Sequence, residues 1–508
     1  MNHAASAVQT SADLLSRVER LRADVRREGA QIYALWRGSI ANRRFGPAAR
    51  NLASYLALRR HDISDLQPAL AAYGLSSLGR SEAHVMAALD ALCATLAHIA
   101  GIPGPTYPPP GRMKVGTRAL QAAKTRFFGR DVAGTSTRIM VTLPTEAASD
   151  EMFVASLIDA GMSCARINCA HDNAAIWRAM AEKVRAAAAL AGRECRILMD
   201  VGGPKCRVET VHANDKIRLF RGDRIALVRE MANASATDAV IVTISFPEIL
   251  DILTPGKDVW INDGKIGTRV VSTAPGRVEL EVFCARTKGE RLRPEKGLNF
   301  PGTELHLTPL TTKDLADLDT VTEIADIVGF SFVQRTEDVA LLHKELAQRR
   351  AGPTMPIVLK IETPLAVRNL PRLIVATAAA GPAAVMIARG DLAVELGFAR
   401  MAEIQEEIMW LCEAAHIPVI WATQVLEGLV TDGSPSRAEA TDAAMAQRAE
   451  CVMLNKGPFL PEAMHFLTDL LRRMDRHQSK KSARFGALSS WPIAELAFDE
   501  NLKTIVRD

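Results

Sequence analysis

The amino-acid sequence predicts an α/β protein built on a (β/α)8 TIM barrel, with a small all-β domain inserted in it and a helical extension before it. Three observations predict this. From residue 138 onward, eight short β-rich runs alternate with helix-sized segments. The rhythm breaks once, between the third and fourth runs, where short alternating stretches accumulate. Polar residues end nearly every run, as they do where barrel strands converge on one mouth.

Residues 1–100 read as a helical extension. Leu14, Val18, Leu21 and Val25 recur at helical spacing, as do Val85, Leu89, Leu92, Leu96 and Ile99. Ser81 stands where an N-cap of the second helix belongs, and Gly101 where that helix should end. Such a stripe is more often core or subunit seam than chemistry, and a homo-oligomer is expected. Residues 63–92 faintly resemble the DNA-binding SAP module. Four acids against one arginine in 62–90 are the wrong sign for phosphate contacts, so nucleic acid is not an expected partner. The linker, 101–116, opens with GIPGPTYPPPG, which can neither continue a helix nor enter a sheet interior.

The barrel is expected over 117–207 and 298–475. Its strands are RIMVTL (138–143), CARIN (164–168), RILMDV (196–201), ADIVGF (325–330), PIVLKIE (356–362), AAVMIARGD (383–391), PVIWAT (418–423) and CVMLN (451–455). The inserted β-domain, a lid over 208–297, contains KIRLF, RIALV, VWIND and RVELEVF. Residues 476–508 form a C-terminal tail.

Bulk properties exclude several classes. A net charge of +4 over 508 residues points to neither a nucleic-acid polyanion nor an anionic membrane. The eight cysteines form no CxxC pair, so no disulfide framework or zinc site is expected. The start lacks the order of a secretory signal, and the longest nearly apolar stretch, Leu373–Ala388, is broken by Gly381-Pro382. A cytoplasmic protein is expected.

The strand ends carry Arg166 and Asn168, Asp200, Lys360 and Glu362, Arg389 and Asp391, Thr423 and Asn455, with Ser331 just after the fourth run. Residues at i and i+2 of a strand share a face. Arg166/Asn168, Lys360/Glu362 and Arg389/Asp391 would each present two groups to the mouth. Glu362 and Asp391 are hard oxygen ligands suited to Mg2+. Lys360 and Arg166 offer charge to a transferring phosphoryl group, and Thr423 could relay a proton. Taken alone, these residues indicate Mg2+-dependent chemistry on a phosphorylated or carboxylated small molecule.

At these positions the sequence resembles the pyruvate kinase family. The resemblance rests on GMSCARINCAH (161–171), DVGGPKCR (200–207), VWINDGKI (259–266), KGLNFPG (296–302), LTTKDLADL (310–318), FSFVQRTEDV (330–339), LKIET (359–363), ARGDLAVELG (388–397), WATQVLEGL (421–429), SPSRAEATDAA (434–444) and CVML (451–454), in the family's order. It implies a glycolytic phosphotransferase that turns phosphoenolpyruvate and ADP into pyruvate and ATP with Mg2+, or Mn2+ in its place. It implies Lys360, Arg166 and Thr423 as catalytic groups and Glu362 and Asp391 as metal ligands. Ala388, Arg389, Gly390, Asp391 and Ser331 are implied around the substrate, with Asn168, His171 and Arg207 toward the nucleotide phosphates. Asn168, Asp200 and Val201 correspond to the family's monovalent-cation site.

The sequence departs from the family in four places. The usual Asp-Thr-Lys-Gly-Pro-Glu reads Asp200-Val201-Gly202-Gly203-Pro204-Lys205, and a cation-site serine is replaced by Ala170. The loop after the eighth strand is shortened to Asn455-Lys456-Gly457-Pro458-Phe459, and the sequence ends soon after the barrel, before the family's C-terminal effector domain is expected. Lys205 resembles the lysine of members that dispense with K+; its ammonium is expected to replace the ion beside Asn168, Asp200 and Val201 and to repel K+, so the K+ requirement is expected to be absent. Two alternatives stand beside this reading. A Mg2+-dependent pyruvate-enolate aldolase would need neither Lys360 nor a β-domain lid. A catalytically impaired homologue acting as sensor or scaffold is suggested by Gly202 and the short 455–459 loop.

Overall fold

Eight parallel strands close into a barrel in the computed structural model, which describes residues 10–76, 78–130, 134–213, 218–235, 238–349, 355–480 and 482–483. They are β1 (Arg138–Thr142), β2 (Met162–Asn168), β3 (Arg196–Val201), β4 (Ile327–Phe330), β5 (Ile357–Ile361), β6 (Ala383–Ala388), β7 (Val419–Ala422) and β8 (Cys451–Leu454). Each pairs with its neighbour in sequence, and β8 closes on β1. Nearly every residue of these strands is buried, because helices cover the outside and side chains fill the inside.

The sixth run differs from expectation. The strand stops at Ala388, and Arg389–Leu396 forms a helix instead, so Arg389 and Asp391 do not share a strand face. Gly390 at the second position and the good helix formers Leu392 and Ala393 let the chain turn at once into this short helix.

The extension packs α1 (Ser11–Trp36) against α2 (Gly46–Leu58) and α3 (Val85–Ala100). Leu14, Val18, Leu21, Val25, Leu89 and Leu96 form its core. Ser81 does not cap α3. Its hydroxyl donates back to Leu78 O at 2.6 Å, and a 3-10 turn, Glu82–His84, intervenes before the helix. Gly101 ends α3 in the left-handed conformation (φ 65°). By length and composition the stretch Glu82–Ala100 could cross a membrane, unlike the Leu373–Ala388 stretch noted in the sequence, but its Leu/Val face is packed inside the extension. The extension lies on the barrel through Asn51. Its amide donates to Glu82 O (2.6 Å) and Ala414 O (2.9 Å), while its carbonyl accepts from Val85 N (3.0 Å).

After the proline-rich stretch, α4 (Val115–Phe128) brings Phe127 and Phe128 to the N-terminal ends of the strands. There they join Met140, Cys164, Leu198, Val358, Met386, Ile420 and Met453 in one apolar cluster that fills the barrel. The opposite end of the same interior is polar.

Between β3 and β4 the chain builds a seven-stranded sheet in the order Leu298–Asn299, Asp258–Ile261, Ile266–Ala274, Arg277–Cys284, Arg224–Val228, Ile241–Ile244, Val208–His212. Alternating burial along Arg277–Cys284 gives it a separate core, which includes Val259, Leu280 and Phe300. Its two ends are paired with each other: Arg207 bridges Gly297, Val208 N donates to Lys296 O, and Leu298 N donates to Cys206 O, the last two at 2.8 Å.

Candidate active site

A cleft of about 500 Å³ opens at the C-terminal ends of the barrel strands. Arg166, Asn168, Ser331, Lys360, Glu362, Ala388, Gly390, Asp391 and Thr423 all line it. Strand register brings them together, since each ends or follows a strand of the same closed sheet.

Asp200 is its electrostatic centre. The carboxylate is fully buried, and Oδ2 accepts from Arg166 Nε (2.7 Å), with Arg166 Nη2 at 2.6 Å and Lys360 Nζ at 3.3 Å. A Cβ at Gly329 would stand 2.0 Å from Asp200 Oδ1, so only glycine on β4 leaves room for this carboxylate. Burial alone would raise the Asp200 pKa, but Arg166 and Lys360 together outweigh it and hold the carboxyl below its ordinary range. Thr142 accepts a further bond from Arg166 (3.0 Å), and Ser331 Oγ accepts from Lys360 (2.6 Å). Burial opposes the charge on Lys360. Asp200 and Glu362, the latter 3.2 Å away, outweigh burial and raise its pKa. Two cations are thus held rigid, buried and pointed at one mouth.

Glu362 and Asp391 face each other across this mouth. The Phe332 amide donates to Glu362 Oε2, and Phe332 takes a positive φ of 54° to do so. Burial pushes the Glu362 carboxyl up, and Lys360 only partly offsets it. Asp391 accepts from Lys205 Nζ at 2.8 and 3.1 Å and from Asn299 Nδ2 at 3.3 Å. Burial would raise its pKa too, but Lys205 outweighs burial and lowers it. Among the described residues no cluster of three or more His, Cys, Asp or Glu side chains could hold a metal ion. A buried and a half-buried carboxylate, Glu362 and Asp391, beside an open cleft do fit Mg2+, which keeps several waters and takes substrate oxygens.

Lys205 was expected beside Asn168 and Asp200. Its ammonium lies on Asp391 instead, with Asp263 Oδ1 at 3.7 Å. The cations on Asp200 are Arg166 and Lys360. Asn168 Oδ1 accepts from Ala170 N (3.1 Å), and Val201 is fully buried at the end of β3. Gly202, where the family carries lysine, faces Asp314 and Ala170.

Thr423 follows β7 with φ 65°, and Gln424 and Leu426 are also left-handed. A β-branched residue there is an outlier that costs about 1–3 kcal/mol and needs support. Arg389 supplies it. Nε donates to Ala422 O (3.0 Å), Nη2 donates to Thr423 O (2.7 Å), and the guanidinium pairs with Asp442 and stacks 4.6 Å over Trp421. Arg389 is therefore committed to the turn rather than presented to the cleft. Thr423 Oγ1 accepts from Gly390 N (2.7 Å), which leaves its own proton to donate.

His171, Arg207 and Lys456 gather at the outer edge. Arg207 Nη1 donates to Glu295 O (2.9 Å). Burial first, then Lys456 and Arg207, lower the His171 pKa, which favours the neutral imidazole. Asn455 Nδ2 donates to Glu427 Oε2 (3.2 Å), and Glu427 lines the cleft.

Sequence reasoning missed Thr142, Asn299, Phe332, Asp263, Glu427 and Lys456. Asn299 lies in KGLNFPG and could have been found from that segment. The Phe332 amide carries no sequence signal.

Fold and site together define a barrel that gathers the cations of Arg166 and Lys360 and the carboxylates of Asp200, Glu362 and Asp391 at one mouth beside an inserted β-domain. The sequence profile of the pyruvate kinase barrel domain matches residues 135–458. A pyruvate kinase of Agrobacterium vitis is 32% identical over 352 residues, 67% of this chain and 68% of that protein. One from Mycobacterium intracellulare is 32% identical over 63% of this chain and 65% of its own, and pyruvate kinase 1 of Trypanosoma brucei brucei 30% identical over 65% of each. The match thus spans about two thirds of each relative. The chain belongs to the pyruvate kinase family.

Proposed function

We propose that this protein moves the phosphoryl group of phosphoenolpyruvate to ADP, giving pyruvate and ATP, and does so without K+. The observation that carries the reading is the buried Lys360–Asp200–Arg166 set, a preorganised positive site at the barrel mouth. A divalent cation such as Mg2+ or Mn2+ held by Glu362 and Asp391 would add positive charge toward the phosphoryl and carboxylate oxygens.

Arg166 and Lys360 hold the phosphoryl oxygens as the bond from phosphorus to the enol oxygen breaks and a bond to the ADP β-phosphate oxygen forms. Transfer of this kind depends on positioning and charge neutralisation more than on covalent help. The pyruvate enolate left behind takes a proton at its methylene carbon. Thr423 passes that proton: one Oγ1 lone pair takes Gly390 N–H, its own proton is free to go to the enolate carbon, and the second lone pair accepts the replacing proton from water. Ala388 and Gly390 offer backbone beside the substrate, and His171, Arg207, Asn168 and Lys456 receive the nucleotide phosphates.

K+ independence rests on Ala170, which supplies no oxygen for a monovalent ion beside Asn168, and on the likeness of Lys205 to the lysine of members that dispense with K+. A coupled assay with phosphoenolpyruvate, ADP and Mg2+ tests the reaction. Activity should be present and unchanged when KCl replaces a tetramethylammonium salt at constant ionic strength. Strong stimulation by KCl refutes K+ independence. A folded but inactive protein refutes the reaction and favours a scaffold.

A further inference from the structure

We infer that Lys205 is a built-in counter-cation of the divalent-metal site, which a metal ion must displace from Asp391 in order to bind. The inference rests on reading Asp391 as a metal ligand. Lys205 Nζ reaches both Asp391 oxygens, at 2.8 and 3.1 Å, and so occupies the face that a metal would take. An ammonium and a divalent ion cannot share that face, because they would repel at contact distance in a largely buried site. The other neighbour of Asp391 in the cleft wall, the Asn299 amide, is neutral.

The stem of Lys205 is not free to wander. Lys205 N donates to Gly203 O (2.9 Å), and Gly297 packs so closely that a Cβ there would lie 2.5 Å from Lys205 Cε. This is the paired base of the inserted β-domain. The displaced ammonium has a carboxylate outside the metal site nearby, Asp263 Oδ1 at 3.7 Å, on the turn Asn262–Gly264 of that domain; Glu362, which also attracts it, belongs to the metal site itself. Asp263 makes no other ion pair among the described residues, and its side chain is 58% exposed. Metal loading therefore moves Lys205 from a barrel carboxylate toward a carboxylate of the inserted domain. The metal is exchanged against an internal cation, and the same exchange draws the insert's turn to its own base.

The test is Mn2+ binding to the full chain without substrates, read as free Mn2+ by electron paramagnetic resonance, so that no turnover is needed. Lys205→Met should tighten Mn2+ about tenfold or more, since the competitor is gone and Asp391 is left uncompensated. Asp263→Asn should weaken it a few-fold, because the displaced ammonium loses its perch. Asp391→Asn should abolish it. Lys205→Gln, closer in polarity, gives the same reading should the Met variant fail to fold. Unchanged or weaker Mn2+ binding in the Lys205 variants, with Asp391→Asn still abolishing it, overturns this inference alone. Mn2+ binding that survives Asp391→Asn, or is absent throughout, overturns the metal-ligand reading and this inference with it.

Discussion

The two ends of the barrel interior are built from the same strands by opposite rules. At the base, Phe127 and Phe128 close a cluster of Met, Leu, Ile, Val, Cys and Ala side chains. At the mouth, β2, β3 and β5 carry Arg166, Asp200 and Lys360 in the buried interior, and the turn after β7 is strained. Burial at the base lowers free energy by removing apolar surface from water. Burial at the mouth costs free energy and is tolerated because each charge has a partner. The division shows where stability and chemistry are kept apart: substitutions at the base should unfold the protein, and substitutions at the mouth should silence it.

The largest expected effect is at the mouth. Lys360→Met should lower kcat by about 10³-fold or more. The fold should survive, because Asp200 keeps Arg166 and Glu362 can take up a proton. Steady-state kinetics and circular dichroism of the same sample decide this; near-wild-type turnover would remove Lys360 from the mechanism. The mirror experiment at the base is Phe128→Ala. It should cost about 3–5 kcal/mol by opening a cavity, seen in denaturant unfolding, while the molecules that remain folded turn over normally.

A third experiment asks whether the mouth alone is sensitive to pH. Glu395 accepts from Phe300 N at 3.1 Å, and burial pushes its carboxyl up to about 7. A raised acid binds its proton more tightly in the folded state. Its contribution is therefore complete below the unfolded value near 4.5 and is lost as pH rises through about 7. Glu395→Gln should match wild type at low pH and exceed it above pH 7, by up to about 3 kcal/mol. Parallel melting curves against pH for the two proteins would contradict this. The smallest effect is expected at Arg389. Arg389→Ala should lower kcat by about 10–100-fold, by releasing the turn that holds Thr423, with little change in KM for phosphoenolpyruvate. A large rise in KM with kcat intact would restore Arg389 to the substrate contacts expected from the sequence.

That last case shows where the sequence was legible and where it was not. Strand runs such as AAVMIA and CVML are wholly apolar, which is what a doubly covered parallel sheet demands, so the barrel could be read directly. The convergence of Lys360, Asp200 and Arg166 followed from strand ends alone. The end of β6 did not, since nothing in AAVMIARGD separates a strand from a helix start until the backbone turns. Lys205 and Asp391 are 186 residues apart, and their contact depends on how the inserted domain is seated. Phe127 and Phe128 carried no reading of their own in the barrel segment that opens at 117. Their role as a plug exists only once the strands have closed over them.

The paired base of the insert has a consequence for folding. Because Arg207 and Gly297 sit opposite each other, the polymer between them is a closed ring as far as the barrel is concerned. Bringing the ends of an unstructured loop of that length together would cost roughly 4 kcal/mol of chain entropy. The insert's own sheet meets this cost locally, so the barrel meets a hairpin's worth of chain between its third and fourth strands. Joining Arg207 to Gly297 by a short turn should therefore give a shorter polypeptide that still forms the barrel, with cooperative unfolding as the measure; a chain that stays unfolded would mean that the ring and the barrel are one folding unit.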